Sequence, residues 1–248
     1  SPGVSITSKT KPSSTSKPSQ AITMGKVCIV TTSESSMAKG EAGETGVWFE
    51  ELASPYYLFK EAGHEVIIAS PQGGAVPVDK GSQADQWQTD FTRKFSGDEA
   101  AMAALKASAK LGDVDLGSVD CLYFTGGHGT YADYGEPVVV DAVEKVFAAG
   151  KVLGADCHGP TCLVAPKKPN GEPLVKGLKV SAFTDTEEAA VGLTSVVPYL
   201  LESKLRELGA DFQKGEDWHS TVSTDGKLVT GQNPQSSEEC AKACIALL

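Results

Sequence analysis

EPVVVDAVEKVFAAGKVLGADCHGP, residues 136–160, contains three units in succession. Residues 136–149 carry the apolar spacing of an amphipathic helix, closed by Ala148-Ala149-Gly150, with glycine where a helix C-terminus favours positive φ. Residues 151–156 form a short apolar run that reads as a strand. Cys157 follows, set between small residues, with Gly159 two positions on. A helix feeding a strand that ends at a tight turn is half of a βαβ unit.

The same alternation extends in both directions. Strand-like runs at 26–32, 64–70, 119–125 and 178–183 are continuous apolar strings, as expected for strands covered on both faces. Amphipathic stretches at 47–62, 98–111 and 186–208 lie between them, and Gly63 and Gly209 stand at two helix ends. The order predicts an α/β chain: a flavodoxin-like, doubly wound, mostly parallel sheet with helices on both faces. Thr224-Asp225-Gly226-Lys227, between two β-prone runs in 219–231, predicts a small added β-hairpin. No internal repeat is present.

Composition narrows the function classes. The 248 residues hold 22 Lys+Arg against 32 Asp+Glu, a net charge of −10. An acidic surface repels phosphate backbones, so nucleic acid is not an expected partner. No apolar run approaches the roughly 18 residues of a membrane span, so no membrane partner is expected either. Residues 1–23 are rich in Ser, Thr, Lys and Pro and lack acids; they read as a disordered tail, either a linker or a transit remnant. Subtracting the tail's three lysines leaves residues 24–248, expected to form one domain, at about −13. Six cysteines (Cys28, Cys121, Cys157, Cys162, Cys240 and Cys244) are too sparse for a disulfide scaffold, and several sit in apolar runs. The expected address is cytoplasmic, or an organelle if the tail is a transit remnant.

Chemistry concentrates at two strand ends, where open α/β sheets bind ligands. Gly154-Ala155-Asp156-Cys157-His158-Gly159 has the pattern of a nucleophile elbow. A following helix dipole and the neighbouring imidazole would lower the thiol pKa. Gly126-Gly127-His128-Gly129 lacks the Lys-Ser/Thr of a phosphate loop. Its backbone can instead supply the Gly127 N–H to an oxyanion hole, with the His158 N–H as second donor. His128 can touch substrate or cap the next helix. Trp48, Trp87 and Trp218 can wall a pocket or simply pack. Asp156 before the cysteine would raise the thiol pKa if it faced the sulfur, but strand alternation points it away. Cys240 and Cys244 read as core packing, as does Cys162. His64 reads as structural and His219 as a surface residue.

Six ordered segments extend these motifs: Thr45-Gly46-Val47-Trp48-Phe49-Glu50-Glu51-Leu52-x2-Pro55, Ala69-Ser70-Pro71-x-Gly73-Gly74, Gly127-His128-Gly129-Thr130-x2-Asp133-Tyr134, Cys157-His158-Gly159-Pro160, Ala182-Phe183-Thr184-Asp185-x2-Glu188 and Thr230-Gly231-Gln232-Asn233-Pro234-x-Ser236. From Lys26 to Leu248 they resemble the ThiJ/PfpI superfamily, in its heat-shock-chaperone-like branch. The resemblance implies Cys157 as nucleophile, His158 as base, Glu188 as the acid orienting the histidine and Glu51 as the acid contacting the sulfur. Gly126, His128 and Trp48 would line the substrate pocket. Glu50 and Glu51 point about 100° apart on a helix, so only one can face the sulfur.

The implied activity is that of a glutathione-independent glyoxalase and D-lactate dehydratase, a lyase converting methylglyoxal and related 2-oxoaldehydes to 2-hydroxy acids. The expected intermediates are a Cys157 hemithioacetal and an enediol. No cofactor and no metal are implied, because the second carbonyl acidifies the transferred C–H. Other readings remain open: a stress-responsive holdase or protein deglycase, a cysteine redox sensor, or a cysteine peptidase. Branch members are often dimers, which leaves a homodimer open.

Overall fold

The computed structural model describes residues 24–248, so the expected tail at 1–23 lies outside the described residues. In chain order the elements begin with β1 (Lys26–Val30), α1 (Phe49–Glu61), β2 (Glu65–Ser70), α2 (Asp90–Gly97), α3 (Glu99–Lys106) and β3 (Ala109–Lys110). The central part holds β4 (Cys121–Phe124), α4 (Thr130–Asp133), α5 (Pro137–Ala148) and β5 (Val152–Asp156). The remainder comprises β6 (Lys179–Val180), α6 (Asp185–Ala190), α7 (Leu201–Glu207), β7 (Asp211–Phe212), β8 (Val222–Asp225), β9 (Leu228–Gly231) and α8 (Ser237–Ile245).

Seven strands form one sheet in the order β3-β2-β1-β4-β5-β9-β8, parallel except for β8. Both faces are covered, which explains the unbroken apolar runs. Val27, Ile29, Cys121 and Tyr123 pack with α1 and α8 residues such as Leu52, Phe59, Cys240 and Cys244. Cys28, Val30, Leu122 and Phe124 pack on the other face with Val139, Val143 and Val146 of α5. This is the flavodoxin-like doubly wound α/β fold. The strand order reverses between β1 and β4, and the crevice expected at such a reversal opens beside the ends of β4 and β5.

Several expected elements are corrected. The hairpin forms about a two-residue turn with Gly226 at φ 59, matching a type II′ loop. It is part of the main sheet, because β9 pairs parallel with β5. The 178–183 run contributes only β6, paired with β7 in a separate two-stranded sheet. The stretch 186–208 is two helices, α6 and α7, since Gly192 takes φ 77 and Pro198 cannot continue a helix. The stretch 98–111 ends as a helix at Lys106 and continues into the edge strand β3. Helix α2, capped by a Thr89–Thr92 capping box, was not expected.

Candidate active site

The strand β5 stops at Asp156, and Cys157 turns into the left-handed region at φ 55. That conformation costs a non-glycine residue about 1–2 kcal/mol, so the surroundings must enforce it. They do so through backbone bonds on both sides. The Cys157 N–H donates to Gly231 O at 3.0 Å, and the Cys157 carbonyl accepts from Phe183 N at 2.9 Å. At Gly159 a Cβ would collide with the Phe124 carbonyl, which is why the elbow closes on glycine. The following segment, Gly159–Leu163, is a five-residue 3-10 turn, not the expected α-helix. It is too short to carry the dipole field invoked from sequence.

The structure brings the widely spaced candidates together around this turn. His158 Nδ1 lies 3.4 Å from Cys157 Sγ, and its Nε2 lies 2.8 Å from Glu188 Oε2. Glu188 sits on α6, whose first turn is fixed by a capping box between Thr184 and Glu187. His128 Nε2 reaches the other oxygen, Glu188 Oε1, also at 2.8 Å. Both imidazoles therefore donate Nε2–H to one carboxylate, leaving the His158 Nδ1 lone pair facing the thiol. The His128 and His158 rings are 4.1 Å apart. His128 thus lines the pocket and also pairs with Glu188, whereas the N-cap of α4 is Gly129. The donor atoms of His128, His158 and Glu188 lie within 4.8 Å of one another, near enough for metal ligation. Their two 2.8 Å contacts are of hydrogen-bond length and already satisfy the carboxylate as a proton network.

Electrostatics follow from burial. Burial disfavours charge on Glu188, but hydrogen bonds from His128 and His158 outweigh it and hold the carboxyl at about 2. Burial, with the His128 charge behind it, pushes His158 down to about 4, so at neutral pH it is an uncharged base.

Glu51 and Glu50 separate as the helix geometry requires. Glu51 is fully buried, accepts the Gly126 N–H at 2.6 Å through Oε2, and interacts with the Cys157 thiol. Its Oε1 has no hydrogen-bond partner among the described residues. Glu50 turns away to accept the Thr89 hydroxyl at 2.5 Å, and burial raises it to about 7. Burial and then the Asp156 charge push Glu51 well above the carboxylate range, so it holds its proton at neutral pH. The expected depression of the thiol is not found. Burial foremost, then the charge Glu51 would carry once ionised, raises Cys157, and an uncharged His158 supplies nothing to offset them.

Asp156 falls on the α1 and α8 face, as strand alternation predicts. Both its oxygens are buried without a partner among the described residues, and burial raises it to about 7. His219 is exposed, and His64 is structural, with Nδ1 accepting the Gly25 N–H at 3.1 Å. All six cysteines are free and buried.

The two glycines after β4 leave no room for side chains. A Cβ at Gly126 would lie 2.5 Å from both Glu51 Oε2 and His158 N, and one at Gly127, where φ is 94, would collide with Gly46 O. Among the described residues, the Gly127 and His158 N–H groups have no acceptor. They border a pocket lined by Cys157, His128, His158, Trp48, Trp87, Phe183 and Trp218. Sequence reasoning did not anticipate the shared Glu188 or the role of Glu187 beside it. Glu187 is fully buried and collects N–H groups from Asn233, Gln232 and Trp218. Gln232 and Asn233 belonged to a quoted motif without an assigned role.

Comparisons with known proteins agree with this fold. The model of the DJ-1/PfpI family matches residues 45–247. "Glyoxalase 3" of Candida albicans is 31% identical over 237 residues, covering 90% of this chain and 98% of that protein. "Glutathione-independent glyoxalase HSP31" of Saccharomyces cerevisiae is 29% identical over 235 residues, with 90% and 98% coverage. The crystal structure of glyoxalase III from Candida albicans superposes with a TM-score of 0.82 at 30% identity, covering 91% of this chain and 98% of that one. Rapid Encystment Protein 24 KDa of Francisella tularensis gives 0.85 at 36% identity, covering 90% and 99%.

Proposed function

The chain belongs to the DJ-1/PfpI family, and from that premise we propose that it is an enzyme, a glutathione-independent glyoxalase of the D-lactate dehydratase type. The observation that carries this reading is the position of the Cys157 thiol between a neutral base, His158 Nδ1 at 3.4 Å, and the protonated Glu51.

A proton can be followed through every step. His158 takes the thiol proton as sulfur attacks the aldehyde carbon, and Glu188 stabilises the imidazolium through its 2.8 Å bond. The Gly127 and His158 N–H groups hold the developing alkoxide. Glu51 protonates that oxygen, giving the hemithioacetal, and becomes a carboxylate. The carboxylate removes the C1 hydrogen while imidazolium protonates the second carbonyl oxygen, forming the enediol. Glu51 returns its proton to C2 as His158 takes the O1 proton, leaving a thioester. Water then adds to the thioester carbon, its remaining proton passes to Glu51, and the departing sulfur recovers a proton from His158. The balance is one 2-oxoaldehyde plus one water giving one 2-hydroxy acid.

The test is lactate formation from methylglyoxal in the absence of glutathione. The wild-type chain is expected to produce D-lactate and Cys157→Ala none. Turnover that survives Cys157→Ala refutes the reading.

A further inference from the structure

The chemistry above leaves one fastened structure unused, at the pocket mouth. Trp218 has φ 63, a left-handed conformation that is an outlier for a bulky residue and is maintained only by its surroundings. Its N–H donates to Glu187 Oε1 at 2.9 Å. The same oxygen accepts Asn233 Nδ2 at 2.8 Å and Gln232 Nε2 at 3.2 Å. The other carboxylate oxygen accepts the Thr184 N–H at 3.1 Å and the Thr184 hydroxyl at 2.9 Å. Gln232 Oε1 also accepts the Gly215 N–H at 2.9 Å, and Asn233 Nδ2 also donates to His219 O at 3.0 Å. A buried carboxylate and two buried amides thus fix residues 215–219 at several points, and the side chain they present is an indole.

That indole continues an aromatic stack inward to the thiol. Trp218 packs edge-on against Phe183 at 5.8 Å, and the Phe183 ring lies 4.5 Å from His158. The facing wall is the Trp48–Trp87 pair, edge-on at 5.5 Å. The pocket between them has a cavity volume of about 70 Å³ and opens to solvent at its mouth. With the aldehyde carbon at Sγ and its oxygen at the Gly127 and His158 N–H groups, Glu51 closes the inner side. A substituent on the second carbonyl would then extend towards the pocket mouth, where Trp48, Trp87 and Trp218 are among the lining residues.

We infer that Trp218, held in its left-handed turn by Glu187, sets substrate preference, and that the site takes 2-oxoaldehydes with an aromatic or bulky apolar substituent ahead of methylglyoxal. This rests on the glyoxalase reading for its substrate class. Trp218 is the specificity-determining residue and Glu187 a positioning residue. Edge-to-face contacts on two sides of a substrate ring are expected to favour phenylglyoxal by tenfold or more in kcat/KM.

Two ratios test this. The first is kcat/KM for phenylglyoxal over methylglyoxal. The second is the alkylation rate of Cys157 by phenacyl bromide over bromoacetone, each normalised to free N-acetylcysteine. In both reagents sulfur displaces bromide at the same carbon, so the second ratio reads the pocket without requiring turnover. Both ratios are expected to exceed ten in the wild type, to fall towards one in Trp218→Ala, and to stay within threefold of wild type in Trp218→Phe. Glu187→Ala is expected to lower both ratios in the same direction, a change that general loss of stability would not produce. If Trp218→Ala does not fold, Trp218→Leu carries the comparison. Wild-type ratios near one, or ratios unchanged in the Trp218 variant, overturn the inference. Absence of turnover on both dicarbonyls with an intact alkylation ratio overturns the glyoxalase reading and leaves the pocket assignment standing.

Discussion

Replacing Glu51 by Gln is expected to change two properties of the site in opposite directions. Gln preserves the shape of the side chain and its contact with Gly126, but removes both the transferable proton and the charge that forms when Glu51 ionises. That charge is the second cause, after burial, of the raised Cys157 thiol. Two charges in contact, roughly 4 Å apart, interact by about 4 kcal/mol at an effective dielectric constant of about 20. Cys157 and Glu51 are 3% and 0% exposed, so little solvent screening reduces this figure. Nucleophilicity falls with thiol basicity at a Brønsted slope of about 0.4–0.5, which cancels close to half the gain and leaves about 2 kcal/mol. Alkylation of Cys157 by iodoacetamide should therefore be up to about 30-fold faster in Glu51→Gln once the pH exceeds the Glu51 titration, and similar in the two proteins near pH 7, where Glu51 carries its proton. Lactate formation should fall by about 10²–10⁴-fold, the usual contribution of a general acid–base group. The measurements are a pH profile of alkylation followed by intact mass, and turnover on the same preparation. Alkylation that is slower, or unchanged even at the alkaline end of the profile, would refute the assigned electrostatics, and retained turnover would refute the proton-transfer role.

Further outcomes follow from the same geometry. Glu188→Gln cannot accept Nε2–H from both histidines, so turnover should fall by about 10²–10⁴-fold, as it does when the orienting acid of a triad is neutralised; steady-state kinetics on methylglyoxal would show it. His128→Asn removes the second cause of His158's low pKa, so the acid limb of the activity profile, expected near the wild-type value of about 4, should move to higher pH. Gly126→Ala places a methyl 2.5 Å from Glu51 Oε2 and His158 N; urea unfolding should show a loss of about 1–3 kcal/mol, with activity lost even where the protein stays folded. Stability should be greater near pH 5 than at pH 7.5. Glu50, Asp133 and Asp156, each raised to about 7, keep protons in the folded state that the unfolded chain releases above about 4, so stability falls as pH rises through 7. His158 acts oppositely but is one group against three, and Glu188, held at about 2, destabilises only on acidification below about 4.5. Calorimetric melting temperatures across pH 4–8 would reveal the order.

Features carried by local sequence were legible, and those set by distant contacts were not. The runs that became β1, β2, β4 and β5 were readable because a strand covered on both faces is apolar at every position. The 178–183 run has the same composition, yet its partner is β7, and no local pattern distinguishes the two pairings. Gly192 and Pro198, the residues that split α6 from α7, were visible but outweighed by the helical spacing of Leu200, Leu201, Leu205 and Leu208. At the site, the resemblance and the elbow pattern marked Cys157, His158, Glu51 and Glu188, which the structure brings together. His128 shares Glu188 from 60 residues away, and no spacing rule reveals that. The direction of the thiol shift was misread because burial, its main cause, is set by α1, β9 and the 183–188 segment closing over the elbow.

The raised thiol has a consequence for survival in the chemical setting such an enzyme would face. Thiolates attack peroxides and other electrophiles, and a nucleophile ionised at rest would be consumed by reagents it cannot turn over. Cys157 keeps its proton until an aldehyde oxygen reaches the Gly127 and His158 N–H groups and makes ionisation worthwhile. Burial and the uncharged histidine thus act as a safety catch, giving up some readiness in exchange for a longer working life among electrophiles.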